Sequence, residues 1–289
     1  MSIDLLQEKI RKLKNPLIVD FAIKESLLPP HGDADFTHAY PQFCEELLGA
    51  LAGVVPGVRF SFDAFALMGD DGLAILSQLL KKAQELGFYV LLDAPQTLTP
   101  WSAERAAEVI FGGDRYPCHG LLVSPYIGSD GLKPFLPYCN DGRKALFVTV
   151  RSPNKSASEL QDLLTGTRLA QEAAAELVQR FGESIVTKCG YSTVCAAVSA
   201  GSPGSIQSLR SRCKRMFMLV DGVDYPSGNV KNCSYAFDRL GFGGAISVGP
   251  SVTAAWRDAE ESDGSDYVQH ALRAVERIRK NILRYISIF

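Results

Sequence analysis

The sequence predicts a single closed (β/α)8 barrel with an N-terminal helix and a long C-terminal helix, one domain over residues 1–289. Three observations point there. Eight short apolar runs are each followed by a polar or glycine-marked turn, the segments between them carry the period of helices, and no Pro/Gly/Ser-rich linker divides the chain. The runs are continuous rather than alternating, as strands covered on both faces are. A doubly wound open sheet is the competing topology.

The elements follow in order. Residues 1–16, MSIDLLQEKIRKLKNP, read as an amphipathic helix and not as a basic leader with an apolar core. Strands are expected at 16–22, 58–64, 88–93, 120–125, 145–150, 193–199, 216–221 and 243–248. Helices are expected at 41–53, 71–86, 102–112, 130–138, 158–183, 203–213, 229–238 and 266–288. Within 71–86, Leu73, Leu76, Leu79, Leu80, Ala83 and Leu86 form one stripe, and Gly87 follows as the C′ residue. Val268, Leu272, Val275, Ile278, Ile282 and Ile286 repeat the pattern near the end of the chain. Residues 184–192 fit either a short strand or an irregular connection.

Thirty Lys and Arg stand against 32 Asp and Glu, and 46% of residues are hydrophobic, so neither disorder nor a polyanion-binding surface is indicated. The expected partner is a small molecule or a protein, with no nucleic acid and, for want of a long apolar run, no membrane. The Cys at 44, 118, 139, 189, 195, 213 and 233 are an odd number with no CxxC, which reads as buried free thiols in a reducing cytoplasm. His31, His38, His119 and His270 have neither HxxxH nor HExxH spacing, so no metal is expected. GFGGAISVG (241–249) lacks the GxGxxG that opens a helix, and a Walker A sequence is absent, so no nucleotide cofactor is expected.

Chemistry in such a barrel belongs at the carboxyl ends of the strands. The residues to read are therefore Ala22 and Lys24, Arg59 to Asp63, Asp93 to Leu98, Ser124 to Ser129, Arg151 to Asn154, Ser199 to Ser202, Asp221 to Gly228, and Gly249 to Ser251. Asp93 stands where a catalytic acid would, or is an ordinary strand terminator bonded to its own turn. Arg59 and Asp63 flank the same mouth and would pair with Asp93 in a structural ion cluster. SVGPS (247–251) would offer backbone N–H groups to a small anion with Ser251 as cap, although Pro250 removes one donor and favours a plain helix start.

These turns, with VSPYIGSDGLKPFL (123–136), FVTVRSPNKSASELQDL (147–163) and AFDRLGFGGAISV (236–248), resemble orotidine 5′-phosphate decarboxylase, in particular the longer bacterial branch of that family, nearly end to end. The resemblance implies a TIM barrel that dimerises across its open end. It also implies an array of two Lys and two Asp, part of it written D-x-K-x-x-D after the third strand, that destabilises the departing carboxylate and protonates the ring carbanion. Read onto DAPQTL (93–98), the first Asp remains as Asp93, Pro95 stands at the Lys position and Leu98 at the second Asp position. Arg59 replaces the remaining Lys, keeping its charge without being able to donate a proton near neutrality. The family's Gly-Leu-Asp reads Asp20-Phe21-Ala22, its carboxylate lost or displaced by two residues.

At the phosphate end the resemblance implies a glycine-rich turn and an Arg. Here DGVDYPSG (221–228) has Pro226 in place of the Gln, and Pro250 replaces the Arg. Asp221 and Asp224 add negative charge where a phosphate would sit. Each lost charge-assisted contact costs about 1.5–3 kcal/mol, and three or four would erase micromolar binding, worth about −8 kcal/mol. Ser152 and Asn154 match the pyrimidine-facing turn, and Ser124 the turn after the fourth strand, which keeps a heterocyclic ligand open. The expectation is a barrel of this type that no longer decarboxylates. Its favoured role is a non-catalytic paralogue, forming a homodimer or a mixed dimer with an active family member. The alternatives are a ligand-binding protein with a remodelled pocket, an enzyme with new chemistry using Asp93 as base and Arg59 as electrostatic helper, and a divergent but active decarboxylase of pyrimidine biosynthesis.

Overall fold

The apolar runs become strands because nothing polar in them needs water, and their backbone groups are satisfied by parallel neighbours. They are β1 (Leu17–Asp20), β2 (Gly57–Ser61), β3 (Tyr89–Asp93), β4 (Gly120–Val123), β5 (Ala145–Thr149), β6 (Val194–Ser199), β7 (Met218–Asp221) and β8 (Gly244–Val248). The computed structural model describes residues 2–21, 24–31, 34–259 and 262–289. Each strand pairs with its neighbours in chain order, and β8 returns to β1 with Ile246 beside Leu17, so the sheet is a closed barrel and the open-sheet topology does not occur. Tyr89, Phe147 and Phe217 are fully buried in it. Gly120 makes room for two of these, since a Cβ there would come within 2.8 Å of both the Phe147 ring and the Tyr89 hydroxyl. Among the described residues no helix is long and apolar enough to cross a membrane.

The first helix, α1 (Ser2–Leu13), closes the amino end of the barrel. Ile3, Leu6 and Ile10 are fully buried, on the stripe that an amphipathic helix presents to a core. Polar groups fix its position. Ser2 Oγ donates to His119 O at 2.8 Å and lies 2.9 Å from the Tyr89 hydroxyl, which is left as the donor of that pair. The N–H of Gly243, just before β8, donates to Gln7 Oε1 at 3.0 Å. The carboxyl ends of the strands lie at the opposite end of the barrel.

Two side chains lock the lower part of the barrel. Arg210, on the helix Pro203–Arg212, donates through Nε and Nη2 to Ala236 O at 2.9 and 2.5 Å, through Nη1 to Met216 O at 2.9 Å, and through Nη2 to Gly243 O at 2.8 Å. His119 Nδ1 accepts the Val90 N–H at 3.0 Å, which requires an unprotonated nitrogen. Burial, helped by Lys144 and Lys9, pulls the His119 pKa from 6.5 to about 4. A folded-state pKa below the unfolded one gives stability that is complete above the unfolded value and is lost as pH falls through the folded value. Acidification from about pH 7 to pH 4 should therefore cost up to about 3 kcal/mol through this residue. In His119→Asn, whose amide oxygen can accept from Val90 without titrating, that component should vanish from urea midpoints measured at both pH values.

Several expected boundaries move, each for a local reason. The strand read at 58–64 ends at Ser61, whose Oγ accepts the Ala64 N–H and starts a short helix, Phe62–Ala66, that carries Asp63. The helix read at 41–53 spans Phe36–Leu51, capped by Asp35, with Pro41 inside it. The one read at 102–112 starts at Pro100 behind a Thr99/Ser102 capping box. The helix read at 158–183 is broken: Ser158–Gln161 is followed by a two-residue antiparallel ladder (Leu164–Thr165 with Arg168–Leu169) and then by Ala170–Gly182. Gly166, at φ 69°, makes the turn that the helical period conceals. The segments read as helices at 130–138 and 229–238 are short 3-10 and α turns, and the last helix spans Tyr267–Ile282. Residues 184–192 are an irregular connection with one bridge, Val186 to Ser192.

Candidate functional site

Arg59 is the third residue of β2, beside Asp20 on β1 and Leu91 on β3. Side chains alternate along a strand, so Arg59 shares the inner face with Gly57, whose absent Cβ would meet Tyr89 O at 2.7 Å. From there its long side chain reaches up to the mouth. Nε and Nη2 donate to the two oxygens of Asp93 at 2.7 and 2.8 Å, a parallel fork, while Nη1 donates to Asp221 Oδ2 at 2.8 Å and Ser247 Oγ at 3.1 Å. Asp20 Oδ2 lies 3.3 Å from Nη1. One buried guanidinium thus draws together the ends of β1, β3, β7 and β8.

The electrostatics follow from that geometry. Burial by itself pulls the Arg59 pKa down, but Asp93, Asp20 and Asp221 together raise it well above its ordinary value. One guanidinium thus faces the carboxyl groups of Asp20, Asp93 and Asp221. Asp63 stands beside it without joining: burial raises its carboxyl pKa, the Gln96 N–H partly opposes this, and Asp93 raises it further. The expected ion cluster therefore forms between Arg59 and Asp93, and Asp63, expected as a partner, is corrected to a neighbour. Its place on the helix Phe62–Ala66 explains the difference.

The phosphate-end residues divide. Asp221 turns inward to Arg59, and its other oxygen accepts the N–H of Gly222 at 2.7 Å. Asp224 accepts the N–H groups of Gly249 and Ser251, both at 2.7 Å. The backbone donors that SVGPS would offer to an anion are taken by the chain's own carboxylate. Ser251, expected to cap this helix start, does not: its Oγ is buried without a hydrogen-bond partner, and Asp224 does the capping.

Ser152 and Asn154 form a closed network after β5. Gln161 Nε2 donates to Ser152 Oγ at 2.7 Å, Ser152 Oγ donates to Asn154 Oδ1 at 2.7 Å, and the Ser152 N–H donates to Gln161 Oε1 at 2.9 Å. Arg151 adds an ion pair with Asp162 at 3.1 Å. Ser124 Oγ accepts the Tyr126 N–H within its own turn. Pro95 is half-buried, Leu98 is 66% exposed and Lys24 is exposed. Ala22 lies outside the described residues. Asp20, Ser247 and Gln161 escaped the site reading of the sequence. Asp20 carried a signal, since an Asp ending one strand beside an Arg in the next is a cross-strand pair by register.

No family model matches the chain. It is 31% identical over 243 residues to orotidine 5′-phosphate decarboxylase of Rhodopirellula baltica, covering 82% of this chain and 80% of the relative. It is 26% identical over 291 residues to the enzyme of that name from Clostridium kluyveri, covering 98% of each. Among solved structures it is similar to Leishmania donovani OMP decarboxylase, with TM-score 0.73 and 25% identity, over 96% of this chain and 99% of that one.

Proposed function

The chain belongs to the orotidine 5′-phosphate decarboxylase family, and from that premise we propose that it is a member which does not decarboxylate orotidine 5′-phosphate and acts instead as a dimerising or regulatory partner in the cytoplasm. The observation that carries this reading is the Arg59 cluster, which fills the mouth with one cation and three carboxylates bonded to one another. A substrate bearing a carboxylate and a dianionic phosphate would enter a region of its own sign. Asp224 already holds the N–H groups of Gly249 and Ser251. Pro95 and Leu98 stand where the resemblance implies the proton-donating Lys and the second Asp, and neither side chain carries a proton to give.

The partner role is supported by apolar side chains on the segments that follow β2, β3 and β4. Leu67, Leu98, Trp101 and Tyr126 are 88, 66, 73 and 80% exposed, a set suited to a second subunit, of this chain or of an active family member. Incubating the pure protein with orotidine 5′-monophosphate and following loss of ring absorbance should show no turnover, and a rate near that of an ordinary family member would end this reading. Light scattering should find a dimer that Trp101→Glu converts to monomer. A monomeric unaltered chain at micromolar concentration would remove the partner role.

A second reading, an enzyme with new chemistry at the same mouth, has one observation in its favour. Asp63 holds its proton to higher pH than Asp ordinarily does and stands beside a second carboxylate, Asp93, the arrangement from which acid and base pairs are made.

A further inference from the structure

The last helix, Tyr267–Ile282, buries Ala271, Ala274, Val275, Ile278 and Ile282 in the core. Its opposite side carries cations. Arg273, Arg277 and Lys280, with Arg284 in the turn that continues the helix, are all exposed and fall within an arc of about 60° at 3.6 residues per turn. Carboxylates do little to offset them. Glu276 is shared between Arg279 at 2.9 Å and Lys280 at 3.4 Å, and Arg273, Arg277 and Arg284 have no ion pair or hydrogen bond among the described residues. Like charges one turn apart repel, so Arg273 stands against Arg277 and Lys280 against Arg284 to the detriment of the helix. The four side chains line one open groove.

A row of unpaired cations selects an anion, and its surroundings narrow the class. Among the described residues none in the arc is aromatic, to stack on an unpaired base, or apolar, to seed the dry centre of a protein interface. An anionic membrane would need an apolar face, and this helix has its own in the core. The four cations reach about 16 Å along the axis, the length of about five phosphates on one strand of a duplex. Three of them are Arg, whose planar fork grips phosphate oxygens in pairs. The balance of 30 basic against 32 acidic residues averages over the whole chain, whereas at physiological salt a ligand senses charge over only about 8 Å, so that balance does not decide what this face attracts. We propose that the stripe docks the phosphate backbone of double-stranded nucleic acid, without regard to base sequence.

The probe is a fluorescently labelled DNA duplex of mixed sequence, titrated with the full chain by anisotropy at salt concentrations from about 50 to about 200 mM. Four neutralised phosphates should make the affinity fall about 100-fold across that range, and a duplex of unrelated sequence should behave alike. Arg273→Gln combined with Arg277→Gln should cut the fall to about tenfold, whereas Arg277→Lys, which keeps the charge, should retain it in full. Lys81→Gln with Lys82→Gln, exposed cations of the helix Gly72–Glu85, should change nothing. The thermal midpoints of these variants should not drop, since the altered side chains lie at the surface. The proposal is overturned if about 100 µM protein fails to bind the duplex at the lowest salt, if the double Gln variant keeps the full salt dependence, or if polyglutamate displaces the probe as effectively as unlabelled duplex. The last result would assign the face to an acidic protein.

Discussion

Replacing Arg59 with Met is expected to lower folding stability by about 3–5 kcal/mol, the cost of leaving buried charges without their counter-ion. Arg59 is 7% exposed and is the shared partner of Asp20, Asp93 and Asp221, so its removal takes that counter-ion from all three at once. Methionine fills similar volume, which confines the loss to charge and hydrogen bonding rather than to a cavity. Arg59→Lys should fall between, because a single ammonium cannot reproduce the two parallel bonds to Asp93. The sharper test is non-additive. Adding Asp93→Asn and Asp221→Asn to Arg59→Met should recover most of the loss, whereas either Asn substitution in the unaltered chain should destabilise it. A loss below about 1 kcal/mol for Arg59→Met, read from denaturant midpoints, would mean that the cluster does not hold the mouth together.

Arg210→Met is expected to cost about 3 kcal/mol at the other end of the barrel. Burial lowers the Arg210 pKa, so holding the charge there is itself unfavourable, and it is offset by bonds to the carbonyls of Ala236, Met216 and Gly243. These carbonyls lie before β7, before β8 and in the segment between the two strands. Without the guanidinium the Ala236 and Met216 carbonyls lose it as their donor, while Gly243 O keeps the Met218 N–H at 2.9 Å. Arg210→Lys should lose nearly as much, since three donors on one nitrogen cannot span them. Any dimer formed through the mouth should be unaffected by either change. Loss of the dimer together with stability would show that the two ends are coupled.

The strands were legible because a fully covered strand has no use for a polar face, so each appears as an uninterrupted apolar run. Their ends were less so. Ser61 ends β2 through a cap, and the sequence offers as much reason to extend the strand to residue 64. The break at Gly166 was invisible because a two-residue ladder scarcely disturbs a helical period. At the mouth, Arg59 with Asp93 could be foreseen from their strand positions. Asp224 capping Ser251 could not, because a contact across 27 residues between two loops depends on where the loops lie. Asp20 is hard to single out in the sequence because its meaning lies in its position opposite Arg59, which only the strand register reveals.

The plug at the barrel's lower end bears on how the molecule is made. Gln7 leaves the ribosome long before its partner, because the N–H it accepts belongs to Gly243, 236 residues further along. Until then α1 is an amphipathic helix with its greasy side uncovered, a ready target for chaperones. The barrel can be sealed only once β8 has been made, so a chain stalled before it should be sticky and protease-sensitive however many of its strands have already formed.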